Sequence, residues 1–88
     1  MEWRVVESRL LARQIQRAPR EIQAKYQVWR NLVRRWGPQL RGGFRVHSLQ
    51  GNRKGQKSAW LNRQWRVIFK VVEEQFIVQA LERTPHKY

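Results

Sequence analysis

The sequence predicts an α+β fold: a small antiparallel sheet in the order strand, two helices, three-strand meander, with the helices packed on one face. Three observations carry this. Ile22, Tyr26, Trp29, Val33 and Trp36 recur at three- and four-residue steps, which aligns one apolar stripe along a helix. Trp65 to Val72 is rich in β-branched and aromatic residues, as strands favour. Only Asn62-Arg63-Gln64 and Glu73-Glu74-Gln75 separate that run from its neighbours, and connections so short join antiparallel strands. At 88 residues the chain reads as a single domain, 1–88, because domains of roughly 100–150 residues are typical.

The first element is a short, weakly alternating strand at Trp3-Arg4-Val5-Val6. Ser8 stands where a helix needs an N-cap, and Leu11, Ile15 and Ala18 share one side of a helix ending near Arg17. Pro19 suits the first turn of a second helix, where its missing N–H costs nothing, and Gly37-Pro38 stops that helix after Trp36. Residues 37–56 read as loop, punctuated by Gly42-Gly43, Gly51-Asn52 and Gly55, with Phe44, Val46 and Leu49 as apolar anchors. Lys57 to Leu61 and Phe76 to Leu81 are the strands flanking Trp65–Val72, and Glu82 to Tyr88 form a tail. Trp29, Trp36 and Trp65 are expected in the core. Alternation puts Trp65, Val67, Phe69 and Val71 on the face under the helices. It puts Arg66, Ile68, Lys70 and Val72 on the other, facing a cleft or solvent. There Arg66 is either a site residue or a cation snorkelling at a sheet edge. His47, alone in the loop segment, reads as an ordinary surface histidine.

Charge narrows the function. Lys and Arg number 19 against 6 acids, a net charge of +13, and no carboxylate lies between Ile22 and Val72. Positive charge that no sequence neighbour neutralises repels itself and destabilises the compact state. A polyanion relieves it, and nucleic acid is the usual one. The absence of cysteine excludes disulfides, thiolate metal sites and cysteine nucleophiles, and favours the cytoplasm. No apolar run approaches the roughly 20 residues of a membrane span, and Met1-Glu2-Trp3-Arg4 lacks a signal-peptide pattern.

Three stretches carry a family likeness: Leu49-Gln50-Gly51, then Lys54-Gly55-Gln56-Lys57-Ser58, then Leu61-Asn62-Arg63-Gln64-Trp65-Arg66-Val67-Ile68-Phe69-Lys70-Val71. Together they resemble the C-terminal half of RelE-type toxins of type II toxin–antitoxin pairs. The ending Thr84-Pro85-His86-Lys87-Tyr88 resembles the tail of a subgroup in the RelE/ParE superfamily. The resemblance implies an mRNA interferase that enters the A site of the 70S ribosome, beside 16S rRNA, and cuts the exposed codon. It implies no metal or other cofactor: the RNA 2′-hydroxyl attacks the adjacent phosphate and the 5′-oxygen leaves. It also implies a cognate antitoxin, acidic or amphipathic, laid over the basic cleft.

Carried onto matching positions, the resemblance makes Arg66 a phosphate clamp, His86 the acid or base, and Tyr88 a positioning, proton-transfer or base-stacking group. These types suit the chemistry. An imidazole titrates near neutral pH, a guanidinium fork matches phosphate oxygens, and an aromatic ring stacks on bases. Lys54, Lys57, Arg53, Arg63, Lys87 and Trp60 are the expected RNA contacts. The chain departs from the family pattern at Trp60 and Lys57, where many relatives have Arg, and at Lys87, where many have Asp. Some relatives use a carboxylate base in the central stretch, which this chain lacks. The general base therefore stays open, with Lys54 or Lys57 as candidates if neighbouring cations lower a pKa. Two other readings stand beside the enzyme. One is a ParE-like inhibitor of DNA gyrase, a branch without the terminal His and Tyr. The other is a basic nucleic-acid-binding protein without catalysis.

Overall fold

The computed structural model describes residues 2–40 and 44–84. In chain order the elements are β1 (Arg4–Glu7), α1 (Arg9–Arg17), α2 (Arg20–Trp36), β2 (His47–Ser48), β3 (Lys57–Trp60), β4 (Trp65–Val72) and β5 (Gln75–Arg83), with 3₁₀ turns at Gly37–Gln39 and Gly51–Arg53. The sheet has five strands in the order β1-β5-β4-β3-β2. The meander β3-β4-β5 is antiparallel, as expected, and β2 extends it. The sheet as a whole is mixed, because β1 lies parallel to β5, with Val5 beside Phe76 and Glu7 beside Val78.

Local chemistry explains the boundaries. The Ser8 hydroxyl accepts from the Leu11 N–H at 3.0 Å and caps α1. Pro19 sits just before α2, and its carbonyl accepts from Ile22 and Gln23. Gly37 ends α2 at φ 64, and its N–H returns to the Val33 carbonyl.

Both helices pack on one face. Leu11 of α1 and Ile22, Tyr26, Trp29 and Val33 of α2 meet Val67 and Phe69 of β4 and Phe76, Val78 and Leu81 of β5 in one buried cluster. Burying a large apolar side chain contributes about 1.5–3 kcal/mol. Trp29 anchors the cluster, with ring centroids 5.3 Å from Phe69 and 6.3 Å from Phe76. Trp65 and Phe44 pack against its edge.

Trp36 departs from expectation. It is 53% exposed, with the Arg35 guanidinium over its ring. It ends α2, and Trp3 fills the space at that end of the core. The Trp3 ring meets Phe76 edge-on at 5.6 Å and lies against Gly37. Val46 is likewise half exposed.

Candidate nucleic-acid interface

Strand register defines the face of the sheet away from the helices. Trp60 and Glu82 both pair with Arg66, from β3 and β5 respectively. Ser58 pairs with Ile68, and His47 with Ser58. Directly opposed residues share a face. Arg66, Trp60, Glu82, Ile68, Ser58 and His47 therefore stand together on the side opposite the helical core. That side is partly covered: Ile68 is buried although it is outside the helix-side cluster, and the Arg66 side chain keeps only 14% exposure.

The meeting of Arg66 and Glu82 depends on a one-residue bulge. The ladder pairs Ile68 with Ala80 and Phe69 with Val78, which leaves Gln79 without an opposite number. Strict alternation would put Phe76, Val78, Ala80 and Glu82 on one face. The bulge instead sends Leu81 into the core and Glu82 to the Arg66 side. Ser8 holds it in place. Its N–H donates to the Val78 carbonyl at 3.0 Å and its hydroxyl to the Gln79 carbonyl at 2.6 Å. Beyond the bulge, the Leu81 N–H donates to the Gln14 side chain at 2.8 Å.

Glu82 gathers two guanidinium groups. Arg66 Nη2 donates to Glu82 Oε1 at 2.9 Å and Nε to the same oxygen at 3.3 Å. Arg53, from the 3₁₀ turn, donates through Nη1 to Oε1 at 3.1 Å and through Nη2 to Oε2. The hydrogen bond from Arg53, with help from Arg66, holds the Glu82 carboxyl below the usual carboxylate range against the opposing effect of burial. The same hydrogen bond raises the Arg53 value. An acid outside the acid-free stretch thus balances two of its cations through space.

A second cluster lies at the β3 end. The Arg45 guanidinium stands 5.5 Å from the centre of the Trp60 ring, and the His47 ring 6.3 Å from it. Arg45 adopts φ 44, a left-handed conformation that costs a non-glycine residue about 1–2 kcal/mol.

The expected site residues thus fall into groups. Arg66, Trp60 and Arg53 come together around the open face. Lys54 is exposed just after the 3₁₀ turn, and Arg63 is exposed in the β3–β4 connection. Lys57 does not join them: it pairs with Phe69, and so it points to the helix side near Val46 and Val71. The one-residue alternation of β3 separates it from Ser58 and Trp60. His86, Lys87 and Tyr88 lie outside the described residues. The described chain ends at Thr84, whose N–H donates to the Gln64 carbonyl at 2.9 Å and whose hydroxyl donates to the Arg63 carbonyl. Reading the sequence missed Glu82, which the bulge repositions; His47, read as a surface histidine, is exposed, and a two-residue strand brings it beside Trp60.

No protein-family model matches the sequence, and neither does any curated protein. Solved structures do match. A chain of the archaeal RelE–RelB complex from Pyrococcus horikoshii superposes with a TM-score of 0.81 at 22% identity, covering 99% of this chain and 100% of that one. YafQ from E. coli gives 0.80 at 16% identity, covering 94% of each chain. The E. coli DinJ–YafQ toxin–antitoxin complex gives 0.77 at 18% identity, covering 94% and 93%. The chain has the RelE-like toxin fold. In this RelE-like frame the bulged β5 and the turn carrying Arg53 bring two arginines to one carboxylate on the open face. None of the described helices is long and apolar enough to cross a membrane.

Proposed function

We propose that this chain is the toxin of a type II toxin–antitoxin pair, a cytoplasmic endoribonuclease that cuts mRNA on the ribosome without a metal. The observation that carries this reading is the convergence of Arg53 and Arg66 on one anionic position, on the open face of a RelE-like fold. Two guanidinium groups at one place suit a phosphodiester, and suit still better the extra negative charge of its transition state.

In this reading Arg66 and Arg53 hold the scissile phosphate, while Lys54, Arg63 and Lys87 grip the flanking backbone. Trp60 stacks on a base. The RNA 2′-hydroxyl attacks phosphorus, and the bond to the 5′-oxygen breaks as that oxygen takes a proton. His86 serves as the acid or base and Tyr88 positions the reacting groups. Thr84 is anchored beside the start of β4. The His47 imidazole stands on the Arg66 side of the sheet. The partner is an antitoxin with acidic or amphipathic segments. RelE–RelB and DinJ–YafQ are complexes of proteins with this fold, and a net charge of +13 favours an acidic partner.

Expression in growing cells tests the reading. Translation arrest that Arg66→Ala and His86→Ala each relieve supports it, provided both variants stay folded. DNA-damage signalling with intact mRNA would point instead to gyrase inhibition.

A further inference from the structure

Glu82 is the one carboxylate that meets the cations of the open face among the described residues. Its two oxygens take both forks of Arg53, and Oε1 also takes Nη2 and Nε of Arg66. A phosphodiester presents the same feature: two oxygens on one centre, sharing negative charge. The arrangement is therefore an anion seat with an anion already in it.

The position of Arg53 matters. It belongs to the 3₁₀ turn Gly51–Arg53, and the backbone hydrogen bonds around that turn stay local. Lys54 N–H donates to Gly51, Gln56 to Arg53, and Leu49 to Gln56. Among the described residues, the Arg53–Glu82 pair is the hydrogen-bonded link from this turn to β5. With side chains 41% and 27% exposed, the pair is open to solvent and to a competing ligand. Ion pairs this exposed hold weakly, so an arriving anion can exchange for Glu82.

We propose that Glu82 is a built-in stand-in for an RNA phosphate: it fills the seat between Arg53 and Arg66 in the free protein, holds the 51–53 turn over the open face, and gives way when a backbone phosphate binds. The identity of the ligand rests on the RNA reading above. The seat itself rests on the two arginines and the carboxylate. Glu82 is thus a positioning residue with two effects. It keeps both guanidinium groups aimed at one point, and it lowers affinity by the fraction of molecules whose seat is already filled.

The test measures binding of inorganic phosphate and of a 2′-O-methyl RNA trinucleotide, which lacks the attacking hydroxyl. The full chain is compared with Glu82→Gln and Glu74→Gln. The second variant makes the same charge change at the far β4–β5 turn and gauges the general effect of one added positive charge. If Glu82 fills the seat about nine-tenths of the time, Glu82→Gln binds both probes about tenfold more tightly, while Glu74→Gln gains about twofold or less. If Glu82→Gln binds no better than Glu74→Gln, or worse, the proposal is overturned. Should Glu82→Gln fail to fold, the unaltered protein decides by NMR. Saturation with the trinucleotide then moves the Glu82 carboxylate and Arg53 Nε signals together, whereas unchanged signals overturn the proposal. None of these probes needs cleavage. A protein that never cuts mRNA but shows the tenfold gain keeps the seat and loses only the nuclease reading.

Discussion

The Tyr26 hydroxyl donates a hydrogen bond to the Glu7 carboxylate, tying the middle of α2 to the last residue of β1. Tyr26 is fully buried, and burial, followed by the Glu7 hydrogen bond and charge, pushes its phenol well above the ordinary value. A group whose folded pKa is raised contributes stability below its unfolded pKa and loses it as pH rises through the folded value. Stability should therefore fall above about pH 10. Tyr26→Phe should cost about 1 kcal/mol at neutral pH and flatten that alkaline limb, as read by denaturant melts from pH 7 to 11.

Glu82 has the opposite sign. Arg53 and then Arg66 hold its carboxyl below the usual range, against burial, so its contribution is present above the unfolded value of about 4.3 and is lost as pH falls below it. Acid denaturation of the native protein should be steeper below about pH 4.3 than that of Glu82→Gln. Identical acid limbs would show that the carboxylate carries no linkage.

How much of this was legible in the sequence depends on the kind of interaction. Strand β4 and the α2 stripe from Ile22 to Val33 were, because hydrophobic period is a local property. Trp36 obeyed the same period yet stands outside, because a residue at a helix end needs something above it, and Trp3 had taken the space. The Arg66–Glu82 pair was hidden for another reason. It needs the bulge at Gln79, and that bulge is held by Ser8, 71 residues away in sequence. The parallel pairing of β1 with β5 is non-local in the same way. Lys57 is parted from Trp60 because a one-residue step along β3 changes the face, and side-chain alternation shows its consequence only once the register with β4 is known.

Gly37 carries a prediction of its own. At φ 64 it suits glycine, and a Cβ there would fall inside the Trp3 indole. Gly37→Ala should cost roughly 2–3 kcal/mol, from left-handed strain plus displacement of Trp3. The loss should appear in thermal melts together with a shift in tryptophan emission.

The β4–β5 turn is improvable. Glu73 adopts φ 55, where asparagine is better tolerated than glutamate. Glu73→Asn should stabilise the fold by about 0.5–1 kcal/mol in denaturant melts and change RNA affinity by no more than the general effect of one added positive charge, because the turn is at the far end of the sheet from Arg66.

The central claim is that Arg66 serves a site that breaks RNA. Mapping the 5′ ends of cellular mRNA after a short pulse of expression tests it most directly. The protein should cut ribosome-bound mRNA inside codons, leaving 2′,3′-cyclic phosphate ends upstream, and Arg66→Ala should lower the cutting rate by about 10²–10³-fold while remaining folded. Intact mRNA in arrested cells, or an Arg66→Ala variant that cuts as fast as the original, would contradict the account.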